Sequence, residues 1–272
     1  MITGDIKQKV DDVWQTFWNN GFTQPSAIFE QITYLLFMKM LDDKQREKEA
    51  IANLTGDVLL NPTFPEGVWR NPSTDKDVPY HEMRWHVFKE MEPTKMLDRV
   101  HNDVFIFLRH VGKEGSAYRK AMEDTVFQIT NARLLSRVIE SIENITSDGA
   151  DMMGDVYEYM LGIMAASGTN GQFRTPRHII RMMVELMRPT LNDTICDPAM
   201  GSAGFIMEAA KFITEHQSDD LLNIGEGDRF RKEIFHGSDS DASMLRIGCM
   251  NMMLHDVDEP NLYYRNSLSD EN

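Results

Sequence analysis

The feature that most constrains this chain is an alternation of short apolar runs and amphipathic stretches in its second half. Apolar runs at 194–196, 234–237 and 262–264 are separated by helical patterns at 203–216 and 241–255. Strand, helix, strand, helix, strand in this order is typical of a parallel sheet connected by crossover helices. We therefore expect a parallel sheet wound by helices in this part of the chain.

The first half of the sequence has the pattern of a helical domain. Apolar side chains recur at three- and four-residue spacing over residues 5–52, 95–111 and 115–145, which predicts amphipathic helices. Residues 53–93 are rich in proline and aromatic rings, a composition typical of ordered loops and short turns. Such rings more often fix a loop to a helical body than stack on bases, because this stretch lacks clustered basic residues. We expect a helical domain over residues 1–148.

The second domain is expected over residues 149–272 and opens on an amphipathic helix at 151–166. Cys196 and Cys249 have no His or Cys at metal-ligand spacing, which favours reduced, buried thiols and no metal site. Methionines on the apolar helical faces are expected to fill core, a target groove being the less favoured alternative. They are Met152, Met153, Met160, Met164, Met182, Met183 and Met187.

The acidic balance of the chain limits how it could act on a nucleic acid. Lys and Arg number 28 against 43 Asp and Glu, a formal net charge of −15 at pH 7. An acidic surface repels a polyphosphate, so most of the affinity for DNA would have to come from elsewhere. No apolar run reaches the ~18 residues of a membrane helix, and the N-terminus lacks the pattern of an export signal. We expect a cytoplasmic protein without a membrane partner.

The strongest local signal is D-P-A-M-G-S-A-G-F at 197–205, which follows an apolar strand and opens a helix. Ligands of open parallel sheets bind outside the carboxyl ends of the strands, where glycines let the backbone approach a ligand. Gly201 and Gly204 meet this need, although their spacing is not the G-x-G-x-x-G of dinucleotide sites. Asp197 would repel a pyrophosphate, whereas it suits a ligand with an ammonium group, such as the amino-acid moiety of S-adenosylmethionine.

The second signal is Asp239, which ends the apolar segment F-H-G-S-D. A carboxylate in this place can accept hydrogen bonds from both hydroxyls of a ribose. It lies farther downstream than the usual ~20 residues, and a polar insert at 217–232 accounts for the surplus. Taken alone, such an Asp is more often a helix N-cap, and Asp241 is expected to cap the following helix.

The third signal is G-Q-F-R-T-P-R at 171–177, a loop that enters a helix. Taken alone, it favours a plain capping turn, with Thr175 as the cap and Pro176 at the first helical position. An aromatic ring beside a cap could also cover an adenosine, and the glycine motif begins only some twenty residues downstream. Both interpretations remain open from the residues themselves.

Two more motifs complete an ordered set, M-N-M-M-L-H at 250–255 and Y-Y-R-N-S-L at 263–268. With the three signals above, they resemble the modification subunit of type I restriction-modification systems, an adenine-specific DNA methyltransferase. The N-terminal half is similar too, through E-Q-I-T-Y-L-L-F-M-K-M-L-D-D at 30–43 and D-M-M-G-D-V-Y-E-Y-M-L at 151–161. The resemblance spans essentially the whole chain. It implies an α + α/β fold, a helical domain followed by the first part of a Rossmann-like, S-adenosylmethionine-dependent methyltransferase domain.

The resemblance also implies which residues hold the cofactor. The part around its methionine would be Gln172, Phe173, Arg174, Thr175, Pro176 and Arg177. The part that holds its amino-acid end would be Asp197, Gly201, Ser202, Ala203 and Gly204. Asp239 would bind its ribose. Asn266 stands where the family often has an Asp facing the adenine ring, so its interaction with the ring would be neutral.

One motif of that family is missing from these residues. Its catalytic signature, Asn-Pro-Pro-aromatic, accepts hydrogen bonds from the amine of a flipped adenine and stacks on the base. The signature does not occur in the sequence, which stops at Asn272, where the resemblance would next require it. We therefore expect this chain to be an enzyme fragment that has no catalytic residues and is inactive alone.

The favoured hypothesis is thus part of an enzyme that transfers a methyl group from S-adenosylmethionine to N6 of adenine in DNA. The resemblance implies three partners: a specificity subunit that brings the DNA, a second modification subunit and a restriction subunit. An alternative is a non-catalytic assembly module, a helical domain with an incomplete nucleotide-type fold. A small-molecule methyltransferase is disfavoured because it would leave the helical half unexplained.

Overall fold

The computed structural model describes residues 4–59, 61–143, 145, 156, 159–160, 162–163, 175–255, 257 and 259–269. Contacts divide the chain into two compact units. The helical unit comprises Met1–Val111 and Val126–Gln172, and the sheet unit comprises Gly112–Thr125 and Phe173–Asn272. Residues 112–125 therefore belong with the sheet, although their sequence pattern suggests the helical domain. The predicted boundary at residues 148 and 149 lies outside the described residues.

The helical unit is built on helices whose ends carry ordinary signals. They are α1 Gly4–Asn19, α2 Pro25–Thr55, α3 Trp85–Phe88, α4 Pro93–Arg99, α5 Phe105–His110 and, after the excursion at 112–125, α7 Ala132–Glu143. Proline opens α2, where its missing N–H costs nothing, and Gly56 ends it with a φ of 77°. A π-helical turn over 100–104 joins α4 to α5. Helical character is thus confirmed at 5–52 and 95–111.

The proline-rich stretch at 53–93 contains a hairpin that its composition did not predict. Strands β1 Val68–Asn71 and β2 Lys76–Pro79 pair antiparallel. The Trp69 and Tyr80 rings meet Phe107 of α5 edge-on, with ring centroids 5.4 and 5.7 Å away. The prediction that aromatic rings fix this stretch to the helical body is confirmed.

A buried cluster of charges joins α2 to the segment that follows the hairpin. The Asp42 side chain is 0% exposed and accepts hydrogen bonds from Arg84 Nε at 2.6 Å and the His86 backbone N–H at 2.9 Å. Both terminal nitrogens of Arg84 donate to the Glu49 carboxylate, at 2.8 and 3.0 Å. Burial alone would raise the pKa of Asp42, but these hydrogen bonds and the Arg84 charge lower it overall. Within the cluster, hydrogen bonds and opposite charges compensate for the water that each charged group loses on burial.

The sheet unit is a three-stranded parallel sheet with its crossover helices. Its elements are α6 Ala117–Met122, α8 Arg177–Met187, β3 Ile195–Asp197, α9 Gly204–His216, α10 Ser218–Leu221, α11 Ile224–Lys232, β4 Phe235–Asp239, α12 Ala242–Leu254 and β5 Asn261–Tyr264. The strand order is β3-β4-β5, and both pairs are parallel. The predicted fold class and the three predicted strands are confirmed.

The polar insert at 217–232 is helical, because it forms α10 and α11. The residues themselves hardly indicate a helix, since Gly225 and Gly227 are poor helix formers and half of the other residues are charged. Gly227 is required by packing: a Cβ there would lie 2.9 Å from the Leu221 carbonyl oxygen. The two helices lengthen the first crossover and account for the long spacing between Asp197 and Asp239.

Several predictions about sulfur side chains are wrong. Cys196 is exposed, because its neighbour Ile195 packs against the cluster formed by α8 and α9 and side chains alternate between the two faces of a strand; Cys249 is buried as predicted. Three methionines of α8 that were expected in the core are exposed instead: the exposed fractions of Met182, Met183 and Met187 are 51, 44 and 80%. Only Ile180 and Val184 of α8 are buried. Met160 is buried as predicted, whereas Met152, Met153, Met164 and most of the predicted helix at 151–166 lie outside the described residues.

Candidate functional site

The carboxyl ends of β3 and β4 bring two predicted acidic residues to one edge of the sheet. Asp197 is the last residue of β3 and Asp239 the last of β4, and the two strands are neighbours. The loop after β3, which we call the glycine loop (residues 198–203), returns to the end of β4. The Gly201 backbone N–H donates to Asp239 Oδ2 at 2.8 Å. Two motifs that are distant in the sequence thus form one site.

The backbone of the glycine loop is held in an unusual conformation. The Met200 N–H donates to the Ser238 carbonyl at 3.0 Å, and the Ala203 N–H donates to the Met200 carbonyl at 2.8 Å. Gly201 has a φ of 54°, which glycine tolerates, and Ala203 has a φ of 65°. A residue with a Cβ loses about 1–2 kcal/mol in this left-handed region. Such a conformation persists only where its surroundings hold it.

Asp197 is a half-buried carboxylate that retains capacity for a ligand. Its Oδ1 accepts the Ala199 N–H at 3.1 Å. Burial raises the pKa of Asp197, the nearby Asp239 charge raises it further, and the Ala199 bond partly opposes them. Among the described residues, no hydrogen bond to Oδ2 is found. A cationic ligand beside Asp197 would favour the ionised form that burial disfavours.

Asp239 has a role that sequence reasoning missed. Its Oδ1 accepts a hydrogen bond from the Asp241 N–H at 2.8 Å, while its Oδ2 accepts one from the Gly201 N–H. A carboxylate offers about four acceptor positions, so bonds to ribose hydroxyls remain feasible. Asp241 caps α12 as predicted, accepting the Ser243 and Met244 N–H groups. Asp239 is therefore also the anchor of the glycine loop.

Glycines at the site serve two different purposes. A Cβ added to Gly201 would meet no atom within 4 Å, so space is open beside it. A Cβ on Gly204 would lie 3.3 Å from Ile180 Cδ1, which shows that this glycine lets α9 pack against α8. Gly237, which the sequence analysis did not select, is the tightest: a Cβ would lie 2.6 Å from Met200 Sδ. Of these, Gly201 borders the space that a ligand could use.

The segment after β5 lies beside the same edge of the sheet. The Arg265 N–H donates to the Asp239 carbonyl at 3.0 Å. The next residue, Asn266, is exposed, and its Oδ1 accepts the Leu268 N–H at 3.0 Å. The Ser267 hydroxyl donates to the Pro198 carbonyl and accepts the Ser238 hydroxyl proton at 2.7 Å. Asn266 is thus near the candidate site, in a local turn.

The predicted loop at 171–177 is described only in part. Gln172, Phe173 and Arg174 lie outside the described residues, whereas Thr175 and Pro176 are exposed. Arg177 is the first residue of α8, and the Pro176 carbonyl accepts the first helical hydrogen bonds. The predicted cap was therefore wrong by one residue. Pro176 itself is the N-cap, because its ψ of 140° is not helical.

Family models match both halves of the chain. The model described as HsdM N-terminal domain matches residues 6–142. The chain belongs to this family. The model described as N-6 DNA Methylase matches residues 148–272. Together they confirm the resemblance to type I modification subunits.

Individual relatives agree with the family models. The type I restriction enzyme EcoEI methylase subunit of Escherichia coli is 27% identical over 240 residues, 85% of this chain and 45% of that protein. The StySPI methylase subunit of Salmonella potsdam is 29% identical over 273 residues, which cover 95% of this chain and 44% of that protein. This chain spans less than half the length of these two curated relatives. A crystal structure of a modification subunit from Vibrio vulnificus YJ016 has the same fold, with a TM-score of 0.72 and 23% identity over 97% of this chain and 56% of that one.

Two features are absent from the part of the chain that the structure describes. The described residues contain no group of three or more His, Cys, Asp or Glu side chains that could hold a metal ion. None of the helices described above is long and apolar enough to cross a membrane.

Proposed function

We propose that the sheet unit binds S-adenosylmethionine and that the whole protein is an adenine-specific DNA methyltransferase. The observation that carries this proposal is the half-buried Asp197 carboxylate, which faces a glycine loop anchored by Asp239 at the carboxyl edge of a parallel sheet. The family membership and the methylase relatives support the same class of reaction.

The charges of the site fit this cofactor better than a dinucleotide. Two carboxylates at one strand edge would repel a pyrophosphate, and Asp239 already raises the pKa of Asp197. An ammonium group next to Asp197 would relieve this repulsion and occupy its second oxygen. The open space beside Gly201 lets a ligand reach the loop backbone. The chain's residues fit a cationic amino acid group.

Each predicted residue then has a task in binding. Asp197 and the loop from Gly201 to Gly204 would hold the amino-acid end, and Asp239 would orient the ribose. The residues assigned to the methionine portion are Gln172, Phe173, Arg174, Thr175, Pro176 and Arg177. Asn266 would lie at the adenine ring. S-adenosylmethionine supplies an electrophilic methyl group, and these residues fix its position.

Methyl transfer to N6 of adenine in DNA belongs to the whole protein in this proposal. Orienting a flipped base requires acceptors for its amine, and the Asn-Pro-Pro-aromatic motif does not occur in these 272 residues. A net charge of −15 on these residues also means that most of the affinity for DNA would have to come from elsewhere. We propose a specificity subunit for that role, in a cytoplasmic assembly with a second modification subunit and a restriction subunit.

Calorimetric titration of the 272-residue chain tests the cofactor proposal. We expect one S-adenosylmethionine per chain and no heat from an oxidised nicotinamide dinucleotide at the same concentration. The same chain with S-adenosylmethionine and DNA should transfer no methyl group. Saturable binding of the dinucleotide with none of S-adenosylmethionine would overturn the proposal.

Asp197→Asn should weaken cofactor binding while stabilising the unbound sheet unit. The amide keeps an oxygen for the Ala199 N–H but loses the charge that attracts an ammonium group. We therefore expect the affinity for the cofactor to fall about tenfold, which corresponds to the lower end of the free energies of hydrogen bonds to charged groups. Because the pKa of Asp197 is raised by folding, its contribution to stability is present at low pH and is lost as the pH rises through the folded-state pKa.

The measurements are calorimetry for affinity and amide hydrogen exchange for the stability of the sheet unit at pH 7. Asp193→Asn is the matched control, since Asp193 also accepts a backbone N–H, from Thr190 at 2.8 Å, but precedes β3. A variant at Asp197 that binds as tightly as wild type would show that this carboxylate does not face the ligand.

A further inference from the structure

Helix α12 approaches the glycine loop through two residues one turn apart, Gly248 and Asn251. A Cβ on Gly248 would lie 2.9 Å from Met200 Cε and 3.5 Å from the Gly201 carbonyl oxygen. Asn251 Nδ2 donates to the Ser202 carbonyl at 2.9 Å. The helix therefore touches the loop at its turn and also bonds to its backbone.

The Asn251 amide is an exception in its surroundings. Asn251 is only 7% exposed, and the residues three and four positions before it on the same face of α12, Gly248 and Ile247, are buried as well. Burying an amide among such residues is unfavourable unless it is hydrogen-bonded. Its partner is the loop carbonyl, 49 residues away in the sequence. The polar side chain thus has a specific contact to make.

The bonded carbonyl belongs to the peptide group that sets the unusual φ of Ala203. Rotation of the Ser202–Ala203 peptide would move Ala203 out of its left-handed conformation, in which φ is 65°. The Ala203 carbonyl in turn accepts the Met207 N–H at the start of α9. Fixing the Ser202 carbonyl therefore fixes both the loop and the first turn of the helix that leaves it.

We propose that Asn251 is a positioning residue that holds the glycine loop in its ligand-ready conformation before the cofactor arrives. The inference rests on the proposed function, because it assigns the loop to S-adenosylmethionine. Asn251 does not touch the ligand. It acts through Ser202 and Ala203, so that less of the binding free energy is spent on ordering the loop.

Two substitutions remove the bond in different ways. Asn251→Ala deletes the donor, and Asn251→Asp keeps the shape of the side chain but replaces the donor with a charged acceptor. Asn261→Ala is the matched control, because the Asn261 amide also donates to a backbone carbonyl, that of Lys232 at 2.8 Å, at the amino end of β5. All are made in the 272-residue chain.

We expect S-adenosylmethionine to bind Asn251→Ala about three- to tenfold more weakly than wild type, the effect of one hydrogen bond. Asn251→Asp should lose at least as much. In the unbound chain, the amides of Gly201 and Ala203 should exchange faster with solvent in both variants, while those of β4 keep their wild-type rates. Asn261→Ala should change neither quantity.

The two readouts separate the inference from the proposed function. If wild type does not bind S-adenosylmethionine, the proposed function fails, and the exchange rates still test whether Asn251 holds the loop. The inference is overturned if exchange at Gly201 and Ala203 is unchanged in both Asn251 variants, or if Asn261→Ala weakens binding equally. Faster exchange throughout the sheet unit would also overturn it, because Asn251 would then be a general stabiliser.

Discussion

Arg84→Met is expected to lower the free energy of unfolding of the helical unit by about 3–5 kcal/mol, the range for breaking one side of a buried ion pair. The side chain of Arg84 is 12% exposed and that of Asp42 is 0% exposed. Methionine fills much of the same volume but removes the guanidinium charge, so that the buried Asp42 carboxylate retains the backbone N–H and ring Nδ1 of His86 as partners. Chemical denaturation followed by tryptophan fluorescence measures the effect. Trp14, Trp18, Trp69 and Trp85, all the tryptophans of the chain, belong to the helical unit.

The control for this substitution is Arg70→Met. Arg70 also contacts two carboxylates, those of Asp75 and Asp77, but its side chain is 57% exposed. Exposed ion pairs contribute about 0–1 kcal/mol, so this change should be nearly neutral. Similar losses for the two variants would mean that the Arg84 cluster is not buried as described.

The pH dependence of the Arg84 variant is a separate expectation. Folding lowers the pKa of Asp42 and of Glu49, so their stabilising contribution is present above their unfolded pKa values. It is lost as the pH falls through the folded ones. The difference between wild type and Arg84→Met should therefore shrink in acid, once both carboxyls are protonated. A constant difference from pH 7 to acid unfolding would contradict the charge-based explanation.

Asp239→Ala is the substitution expected to reduce cofactor affinity most. It removes the acceptor for the ribose hydroxyls, a loss of roughly 1.5–3 kcal/mol for bonds to a charged group, or about 10- to 150-fold in the dissociation constant. It also leaves the Gly201 and Asp241 N–H groups without their carboxylate acceptor. Calorimetric titration with S-adenosylmethionine provides the measurement.

Two companion variants define what the Asp239 result means. Asp239→Asn keeps one acceptor oxygen for the loop and should retain more affinity than alanine. Asp193→Ala removes a carboxylate from the turn before β3 and should change the affinity by no more than about twofold. Unchanged binding by Asp239→Ala would show that the end of β4 does not face the ligand.

The strands and longer helices could be predicted because local patterns determine them. The apolar runs at 194–196, 234–237 and 262–264 begin and end within two residues of the bounds of β3, β4 and β5. Asp241 was recognised as a cap because its partners are its immediate neighbours in the chain. The hairpin of β1 and β2 was missed, since proline and charged residues mask a short exposed strand.

The remaining features of the site depend on contacts between distant residues. The anchoring of Gly201 by Asp239 spans 38 residues, and the bond from Asn251 to Ser202 spans 49. Neither separation has a sequence signature. Periodicity likewise shows that α8 has apolar methionines, but it cannot show that Met182, Met183 and Met187 are exposed.

The assignment of residues 112–125 to the sheet unit affects how the protein can be divided. Helix α6 packs against α12 and β5, yet it is encoded between segments of the helical unit, so the polypeptide crosses between the two units three times. An excised piece that starts near residue 149 would lack α6 and expose the surface it covers. Production of the sheet unit alone therefore requires α6 to be supplied, either joined by a linker to the N-terminus of the excised piece or added as a separate peptide.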